Sequence, residues 1–271
     1  MGDSAATGIG DPAGEGIYKG WGHYLFKALP KVKEYHNLSR PGARVNEMAT
    51  VQLEIALEIK PKIAISLRIV NATNYDEKRD ALSHDWPTFL EKLGFNPIFV
   101  PNSLSDVIAF LADMKVDGIV LSGGDNIGDT PQRDKTETSM LEFAIKNNIP
   151  LVGICRGMQV INDYFGGTIQ KSLNNDHVGK NHLVNITDKK LSAVLNTSSL
   201  QVNSYHHNLI HKSTLGKNLE PFAITQNDNT IEGFVHTTMP VMGIMWHPER
   251  EQNNSNQLLI KAILQSSHNT K

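Results

Sequence analysis

The stretch around the single cysteine constrains the fold more than any other part of the chain. The apolar run Pro150–Ile154 is typical of a buried parallel strand, and it leads directly into Cys155. The segment Arg156–Phe165 follows with apolar residues at helical spacing. Gly153 and Gly157 flank the cysteine where a tight turn has least room for a Cβ atom. The stretch therefore predicts a strand, a sharp nucleophile-bearing turn and a helix, the arrangement of a nucleophile elbow.

The chemistry of this cysteine depends on where the helix begins. A thiol at a helix N-terminus is favoured as the thiolate, because the partial positive charge of the helix end stabilises an anion. The alternative is a buried, inert cysteine, which is common in protein cores.

A base and an orienting carboxylate for the thiol are found downstream. The apolar run Val241–Trp246 predicts another buried strand; His247 follows it and Glu249 comes two residues later. A neutral imidazole can accept the thiol proton and return it to a leaving group. A carboxylate can fix the tautomer of that imidazole. Cys155, His247 and Glu249 are therefore the candidate catalytic residues.

A glycine-rich turn supplies candidate donors for an oxyanion. The segment Gly118–Gly128 predicts a strand that runs into this turn. Acyl transfer requires N–H groups aimed at the developing negative charge, and a glycine can turn its N–H inward. We expect the N–H groups of Gly124 and Arg156 to form the oxyanion hole; a phosphate-binding loop or a plain turn are the alternatives.

Together these three motifs resemble the class I glutamine amidotransferases, over residues 62–271. The resemblance implies a flavodoxin-like α/β fold, with a mostly parallel sheet and helices on both faces. It also implies a Cys155–His247–Glu249 triad, and a role for Gln159 in holding the γ-glutamyl group of a substrate. The alternative for Gln159 is a solvated helix position.

The order of predicted elements agrees with a parallel α/β sheet. From His182 onward, shorter strands predict an antiparallel extension. The main predicted elements are strand Lys62–Val70, helix Glu77–Leu93, strand Pro97–Val100, helix Leu104–Met114, strand Gly118–Ser122, helix Thr136–Asn147 and a last helix, Asn256–Gln265.

Two later stretches, Gln201–Asn208 and Thr230–His236, resemble the γ-glutamyl hydrolases of the peptidase C26 branch. Ser204, Tyr205 and His206 are accordingly candidates to line the pocket of the leaving amine. The alternative is a strand edge with a surface histidine pair. No metal or cofactor is expected, because the chain lacks helical histidine spacing and a cysteine cluster.

A narrower resemblance is to the γ-glutamyl-CDP-amidate hydrolases. It is carried by Ser66–Arg68, Phe234–His236 and Met245–Glu251, and it implies a nucleotide leaving group. Such a group would require cationic neighbours. Arg68 is the first candidate; the others are Arg79, Arg156 and Arg250, and each of the four could equally be a structural ion-pair partner.

Residues 1–61 stand outside this pattern. Gly2-Asp3-Ser4 and the segment Asn37–Arg44 resemble the opening blocks of SGNH (GDSL-type) hydrolases. The later blocks of that family, which would supply a base for Ser4, are missing, and a serine without a base is a poor nucleophile. We therefore expect an N-terminal SGNH-like α/β appendage without esterase activity, followed by the amidotransferase-like domain at 62–271.

Composition excludes several classes of partner. The net charge of −2 gives no reason to expect nucleic-acid or membrane binding. The chain shows no secretory signal or membrane-spanning run, and a single cysteine fits a reducing compartment, so a cytoplasmic location is expected. The expected partner is a small γ-glutamyl substrate.

Three functions remain open from the sequence. The first is cysteine-dependent hydrolysis of a γ-glutamyl amide, with γ-glutamyl-CDP-amidate or a γ-glutamyl-γ-aminobutyrate-like compound as the substrate. The second is a glutaminase that supplies ammonia to a separate synthase. The third, a non-catalytic module, is weakest because every triad position holds a competent residue.

Overall fold

The computed structural model describes residues 60–172 and 177–265. Its strands, numbered along the chain, are β1 (Lys62–Ser66), β2 (Arg68–Asn71), β3 (Lys78–Ala81), β4 (Asn96–Val100), β5 (Gly118–Leu121), β6 (Leu151–Ile154), β7 (Gln170–Lys171), β8 (His182–Ile186), β9 (Ser199–Val202), β10 (Asn208–Leu209), β11 (Leu219–Thr225), β12 (Ile231–His236) and β13 (Val241–Ile244). The helices are α1 (Asp85–Lys92), α2 (Val107–Met114), α3 (Pro131–Asn147), α4 (Arg156–Tyr164), α5 (Lys189–Leu195) and α6 (Asn254–Leu264), with a 3₁₀ turn at Lys212–Thr214.

Nine of these strands form one sheet, in the order β4-β1-β5-β6-β13-β12-β11-β8-β9. The first five pair in parallel and are called here the parallel half. The remaining four, β12, β11, β8 and β9, pair antiparallel and are called the antiparallel half. The predicted α/β fold class is confirmed, and so is the antiparallel extension that begins at His182.

The centre of the sheet is buried throughout. Every residue of β5, β6 and β13 is buried, as expected for strands covered on both faces. Helices α3 and α4 pack against β5, and α6 packs against β6. Ligand sites in such sheets lie beyond the carboxyl ends of the strands, which here are the turns after Leu121, Ile154 and Ile244.

Several predicted elements are wrong in extent. The predicted strand Lys62–Val70 is interrupted at Leu67, after which the chain pairs as β2 with β3 in a separate hairpin. The predicted helix Glu77–Leu93 begins only at Asp85, because the residues before it form β3. Pro87 explains the late start: it is tolerated in the first turn of α1 but would clash inside a longer helix.

Helix α3 begins five residues earlier than the predicted start at Thr136. Pro131 occupies its first turn, where the missing N–H costs no hydrogen bond. The buried side chains of Arg133 and Glu137 obscure the apolar pattern of this helix in the sequence.

The SGNH-like segment lies outside the described residues, except for its last two positions, so the predicted division at residue 61 stays a prediction. In the part of the chain that is described, no helix has both the length and the apolar character needed to span a bilayer.

Candidate active site

Cys155 occupies a strained turn between β6 and α4. Its backbone has φ 51° and ψ −101°, a region that a non-glycine residue enters at a cost of about 1–3 kcal/mol. A Cβ atom on Gly153 would lie 2.4 Å from the carbonyl oxygen of Gly157, and one on Gly157 would lie 2.2 Å from that of Leu121. The two glycines therefore allow α4 to start against β5 and β6, which fixes the cysteine at the sheet edge.

His247 and Glu249 form a buried pair after β13. The Nδ1 atom of His247 lies 2.7 Å from Oε1 of Glu249. Because a carboxylate accepts, Nδ1–H is the donor, and Nε2 remains for the thiol. The side chains of Cys155 and His247 are close enough to shift each other's pKa. A Cβ atom on Gly123 would lie 2.8 Å from His247 Cε1 and 3.5 Å from Cys155 Cβ, so a glycine there keeps the space between them open.

The electrostatics of the pair favour separated charges. Burial alone would raise the pKa of the Cys155 thiol, but its hydrogen bond to His247 and the charge of that ring more than offset burial and lower the pKa. Burial would lower the pKa of His247, yet hydrogen bonds to Cys155 and Glu249 raise it to about 9. Both shifts act in the direction of a thiolate beside an imidazolium.

Asn203, which the sequence reasoning missed, holds the backbone of His247 from the antiparallel half. Its Oδ1 accepts from the N–H of His247 at 2.8 Å, and its Nδ2 donates to the carbonyl oxygen of His247 at 2.9 Å. Asn203 is buried directly after β9. Asn203 lies inside the stretch Gln201–Asn208, but the contact between that stretch and His247 could not be read from sequence.

The predicted oxyanion donors belong to the turns after β5 and β6. Gly124 has φ +124°, which favours glycine, and a Cβ atom there would lie 2.9 Å from Nη1 of Arg133. The backbone N–H of Arg156 helps to lower the pKa of the Cys155 thiol. The turn after β5 approaches the cysteine at Gly123, where a Cβ atom would lie 3.5 Å from Cys155 Cβ.

A buried network of charged side chains holds the turn after β5 in place. Nη2 of Arg133 donates to the carbonyl oxygens of Ser122 and Gly123, at 2.9 Å each. Its Nε donates to Oε1 of Glu137 at 2.9 Å. Arg133 is completely buried; burial, foremost, lowers its pKa to about 10, so it remains charged at neutral pH. The i, i+4 spacing of Arg133 and Glu137 was the available signal, but on a helix it is typical of an exposed pair.

The side chain of Arg156 belongs to the same network. Its guanidinium pairs with Glu137 and Asp134 and is almost fully buried. Burial lowers its pKa to about 10. Of the two alternatives for this side chain, the structural ion pair is the one observed. The other cationic candidates also have partners: Arg79 pairs with Glu77, and the guanidinium of Arg250 lies 4.4 Å from the centre of the Tyr205 ring.

The remaining predicted substrate contacts are divided between interior and surface. Gln159 is buried, and its Oε1 accepts from Nδ2 of Asn208 at 3.0 Å. Arg68 is half-exposed and pairs with Asp125 at 2.8 Å; its Nε lies 3.8 Å from the place of a Cβ on Gly124.

The histidine-containing stretch is more buried than a strand edge would be. Ser204 is buried and donates its hydroxyl to the carbonyl oxygen of His177. Tyr205 is 47% exposed, with its ring edge-on to that of His247 at 5.8 Å between centroids. His206 is buried whereas His207 is exposed, so the two do not form a surface pair.

A cluster that the sequence reasoning missed lies around His206. It contains His177, His182, His206 and Glu232, and it is called here the histidine cluster. The expectation of no metal rested on sequence spacing. These four residues come from separate segments of the antiparallel half, so no local spacing could have revealed them.

Comparison with known proteins identifies the family. The family model described as Peptidase C26 matches residues 61–249. The gamma-glutamyl-CDP-amidate hydrolase of Campylobacter jejuni is 34% identical over 206 residues, which cover 73% of this chain and 95% of that protein. The carbamoyl phosphate synthase small chain of Lawsonia intracellularis is 32% identical over 164 residues, or 59% of this chain and 39% of that protein.

Solved structures agree on the fold. A glutamine amidotransferase of Thermotoga maritima superposes with a TM-score of 0.56 at 15% identity, over 78% of this chain and 99% of that one. At this identity the likeness supports the architecture alone. With a family match across most of the described sheet and a relative aligned over nearly its whole length, the chain belongs to the peptidase C26 family of hydrolases and has a class I glutamine amidotransferase-like fold.

Proposed function

We propose that the chain hydrolyses a γ-glutamyl amide bond, with Cys155 as nucleophile, His247 as general acid and base, and Glu249 as the group that orients His247. The observation that carries the proposal is a strained, buried cysteine that lies beside a buried, hydrogen-bonded His–Glu pair. Strain at a non-glycine residue of this kind is typical of functional turns. A lowered cysteine pKa supports nucleophilic catalysis at neutral pH.

In the first half-reaction, the thiolate of Cys155 attacks the γ-carbonyl carbon of the substrate. The carbonyl oxygen becomes an oxyanion, which the N–H groups of Gly124 and Arg156 stabilise. The imidazolium of His247 then gives its proton to the amide nitrogen, the C–N bond breaks, and the amine leaves. A glutamyl thioester on Cys155 and a neutral imidazole remain.

The second half-reaction reverses the roles. His247 takes a proton from a water molecule, the resulting hydroxide attacks the thioester carbonyl, and the C–S bond breaks. Glutamate leaves and the thiolate–imidazolium pair is restored, so no cofactor is required. Gln159, buried on the first turns of α4, is proposed to help hold the glutamyl group.

For the leaving group we propose a cytidine diphosphate amidate, with a γ-glutamyl-γ-aminobutyrate-like compound as the less favoured substrate. The relative from Campylobacter jejuni, 34% identical along nearly its whole length, supports the first. So do two half-exposed features near the triad: the Arg250–Tyr205 stack beside His247 and the Arg68–Asp125 pair beside Gly124. Guanidinium groups at such positions suit an anionic diphosphate.

The proposal is tested by incubating the full chain with γ-glutamyl-CDP-amidate, γ-glutamyl-γ-aminobutyrate and glutamine. Products are identified by mass spectrometry and kcat/KM is measured for each compound. We expect glutamate and CDP-amidate, with the highest kcat/KM for the nucleotide adduct. His84→Ala, at an exposed position, should match the wild type. Failure to release glutamate from any of the three compounds would refute the proposed activity.

The second candidate is a glutaminase subunit. The relatedness to carbamoyl phosphate synthase small chains, over 59% of this chain, supports it. A glutaminase of this kind would release ammonia from glutamine weakly alone and strongly with its synthase present. Ammonia release is therefore compared with and without a candidate synthase subunit. A large stimulation with glutamine, together with no turnover of the nucleotide adduct, would favour this second function.

A further inference from the structure

The histidine cluster brings four potential metal ligands together in the interior of the antiparallel half. His182 begins β8, Glu232 lies in β12, His206 follows β9, and His177 precedes β8. His177, His206 and Glu232 are almost fully buried, and the side chain of His182 is 10% exposed. Buried charged and polar groups require partners, so this concentration of them needs an explanation.

Two of the imidazoles are oriented by hydrogen bonds at one ring nitrogen. Nε2 of His177 lies 2.8 Å from Oδ2 of Asp228, and because the carboxylate accepts, this nitrogen carries the hydrogen. Nδ1 of His206 donates likewise to the carbonyl oxygen of Asn208 at 2.9 Å. When these rings are neutral, the opposite nitrogen of each therefore has a lone pair, and in both cases it faces Glu232.

The facing nitrogens surround the carboxylate closely. Nε2 of His206 lies 3.3 Å from Oε1 of Glu232, Nδ1 of His177 lies 3.8 Å from the same oxygen, and Nε2 of His182 lies 3.6 Å from Oε2. Among residues 60–172 and 177–265, none of these atoms has an aligned hydrogen-bond partner. Lone pairs facing a buried carboxylate repel it unless a positive charge lies between them.

A divalent cation fits this geometry better than protons do. At metal–ligand distances of about 2.1 Å, the ligand atoms of a tetrahedral site lie about 3.4 Å apart, and nitrogens of His177 and His182 lie 3.8 and 3.6 Å from oxygens of Glu232. The candidate ligand atoms of His177, His182 and Glu232 all lie within 4.8 Å of one another. A proton on His206 alone relieves its contact with Oε1 of Glu232, but protonating His177 and His182 as well would place like charges together, since the centroids of those two rings are 5.2 Å apart.

The surrounding bonds also match those of known metal sites. Histidine ligands usually donate their second nitrogen to a carboxylate or a backbone carbonyl, which fixes the tautomer. His177 does the first through Asp228. Imidazole nitrogens with one carboxylate are a ligand set suited to Zn²⁺.

We propose that His177, His182 and Glu232 bind one zinc ion, with His206 beside Glu232 but outside the ligand set. The ion would fix His177, whose carbonyl oxygen accepts from the Ser204 hydroxyl and the His206 N–H. This holds the segment after β9, which carries Asn203 and so reaches the backbone of His247. Its role is to position the segment, and it takes no part in the proposed hydrolysis. The proposal therefore stands or falls separately from the proposed function.

The test measures metal content in full-length protein purified without a polyhistidine tag or chelator. Elemental analysis should find about one zinc per chain, and Glu232→Gln and His182→Ala should lose it. His236→Asn is the matched control, because His236 is also buried but lies outside the cluster. Asparagine keeps an acceptor for the N–H groups that bond its Nδ1, so this variant should retain the metal.

A graded variant sharpens the test. Asp228→Asn keeps all three ligands but weakens the support of His177, so zinc affinity should fall roughly 10- to 100-fold. Thermal unfolding of the wild type provides a readout that does not depend on variants folding: a chelator should lower Tm and added zinc should restore it. The proposal would be overturned if the wild type were purified free of zinc and its Tm did not change with added zinc. Full zinc content in both ligand variants would overturn it as well.

Discussion

The parallel and antiparallel halves of the sheet contribute to the site in different ways. In the parallel half, Cys155, Gly124 and His247 each follow a buried strand within a short motif. In the antiparallel half, Asn203 and the histidine cluster come from scattered positions that meet only because β8, β9, β11 and β12 pair. The proposed catalytic residues of the parallel half therefore lie in short sequence motifs. The residues of the antiparallel half that support them are scattered along the chain.

This difference has a physical basis. Parallel strands all end at the same sheet edge, so any residue just beyond a strand is brought to the site by the topology alone. Antiparallel strands alternate in direction, and which side chains meet depends on register. The parallel half should therefore hold the groups whose loss abolishes turnover, and the antiparallel half those whose loss degrades it.

The largest expected effect is that of removing the sulfur. Cys155→Ala should lower kcat/KM for the proposed substrate by roughly 10³-fold or more, since no other group can form the thioester. Circular dichroism and Tm should remain close to those of the wild type. Activity retained within tenfold of the wild type in this variant would eliminate the nucleophile assignment.

The next largest effect is expected from the buried ion-pair network that contains Arg133 and Glu137. Arg133→Met removes one of the two arginines that pair with Glu137 and leaves the carbonyl oxygens of Ser122 and Gly123 without that donor, so the free energy of unfolding should fall by about 3–5 kcal/mol. Chemical denaturation measures this change. Arg79→Met is the control, because that arginine pairs only at the surface, and its stability should not change measurably. Equal effects of the two substitutions would contradict a structural role for the network.

A smaller effect is expected from the antiparallel half. Asn203→Ala removes both hydrogen bonds to the His247 backbone, and kcat should fall roughly 10- to 100-fold through misplacement of the imidazole. KM should change little, since Asn203 holds His247 and not the substrate. Asn185→Ala, on the exposed face of β8, serves as the control. A kcat unchanged by Asn203→Ala would show that the two halves act independently.

The same division explains what the sequence could reveal. The fold class follows from alternating strands and helices, and the elbow from glycines on either side of Cys155, because each pattern is set by local sterics. The early hairpin of β2 and β3 was missed because Arg68–Asn71 and Lys78–Ala81 have little apolar alternation. The residues of both strands are exposed or only partly buried. Glu232 and its histidines were missed because only tertiary pairing unites them.

The smallest expected effect is a shift in pH dependence. Because the pKa of His247 is raised to about 9, kcat/KM should decline as pH rises through that value and the general acid is lost. Glu249 contributes to the rise, so in Glu249→Gln the alkaline limb should move to lower pH. If kcat/KM declined at the same alkaline pH in the wild type and in Glu249→Gln, the carboxylate would not act on the imidazole.

The direction in which the free energy of unfolding changes with pH follows from the same pKa of His247. The protonated ring stabilises the fold fully below its ordinary value of 6.5, and this contribution is lost as pH rises through about 9. The free energy of unfolding, measured against pH, should decline over that interval less steeply in Glu249→Gln than in the wild type.

The most direct test of the central claim is to trap the acyl intermediate. The full chain is mixed with γ-glutamyl-CDP-amidate, quenched rapidly in acid and digested, and the peptides are examined by mass spectrometry. We expect one glutamyl group on the peptide that contains Cys155, formed with the release of CDP-amidate. Steady glutamate release with no adduct on Cys155, or with the adduct on another residue, would contradict it.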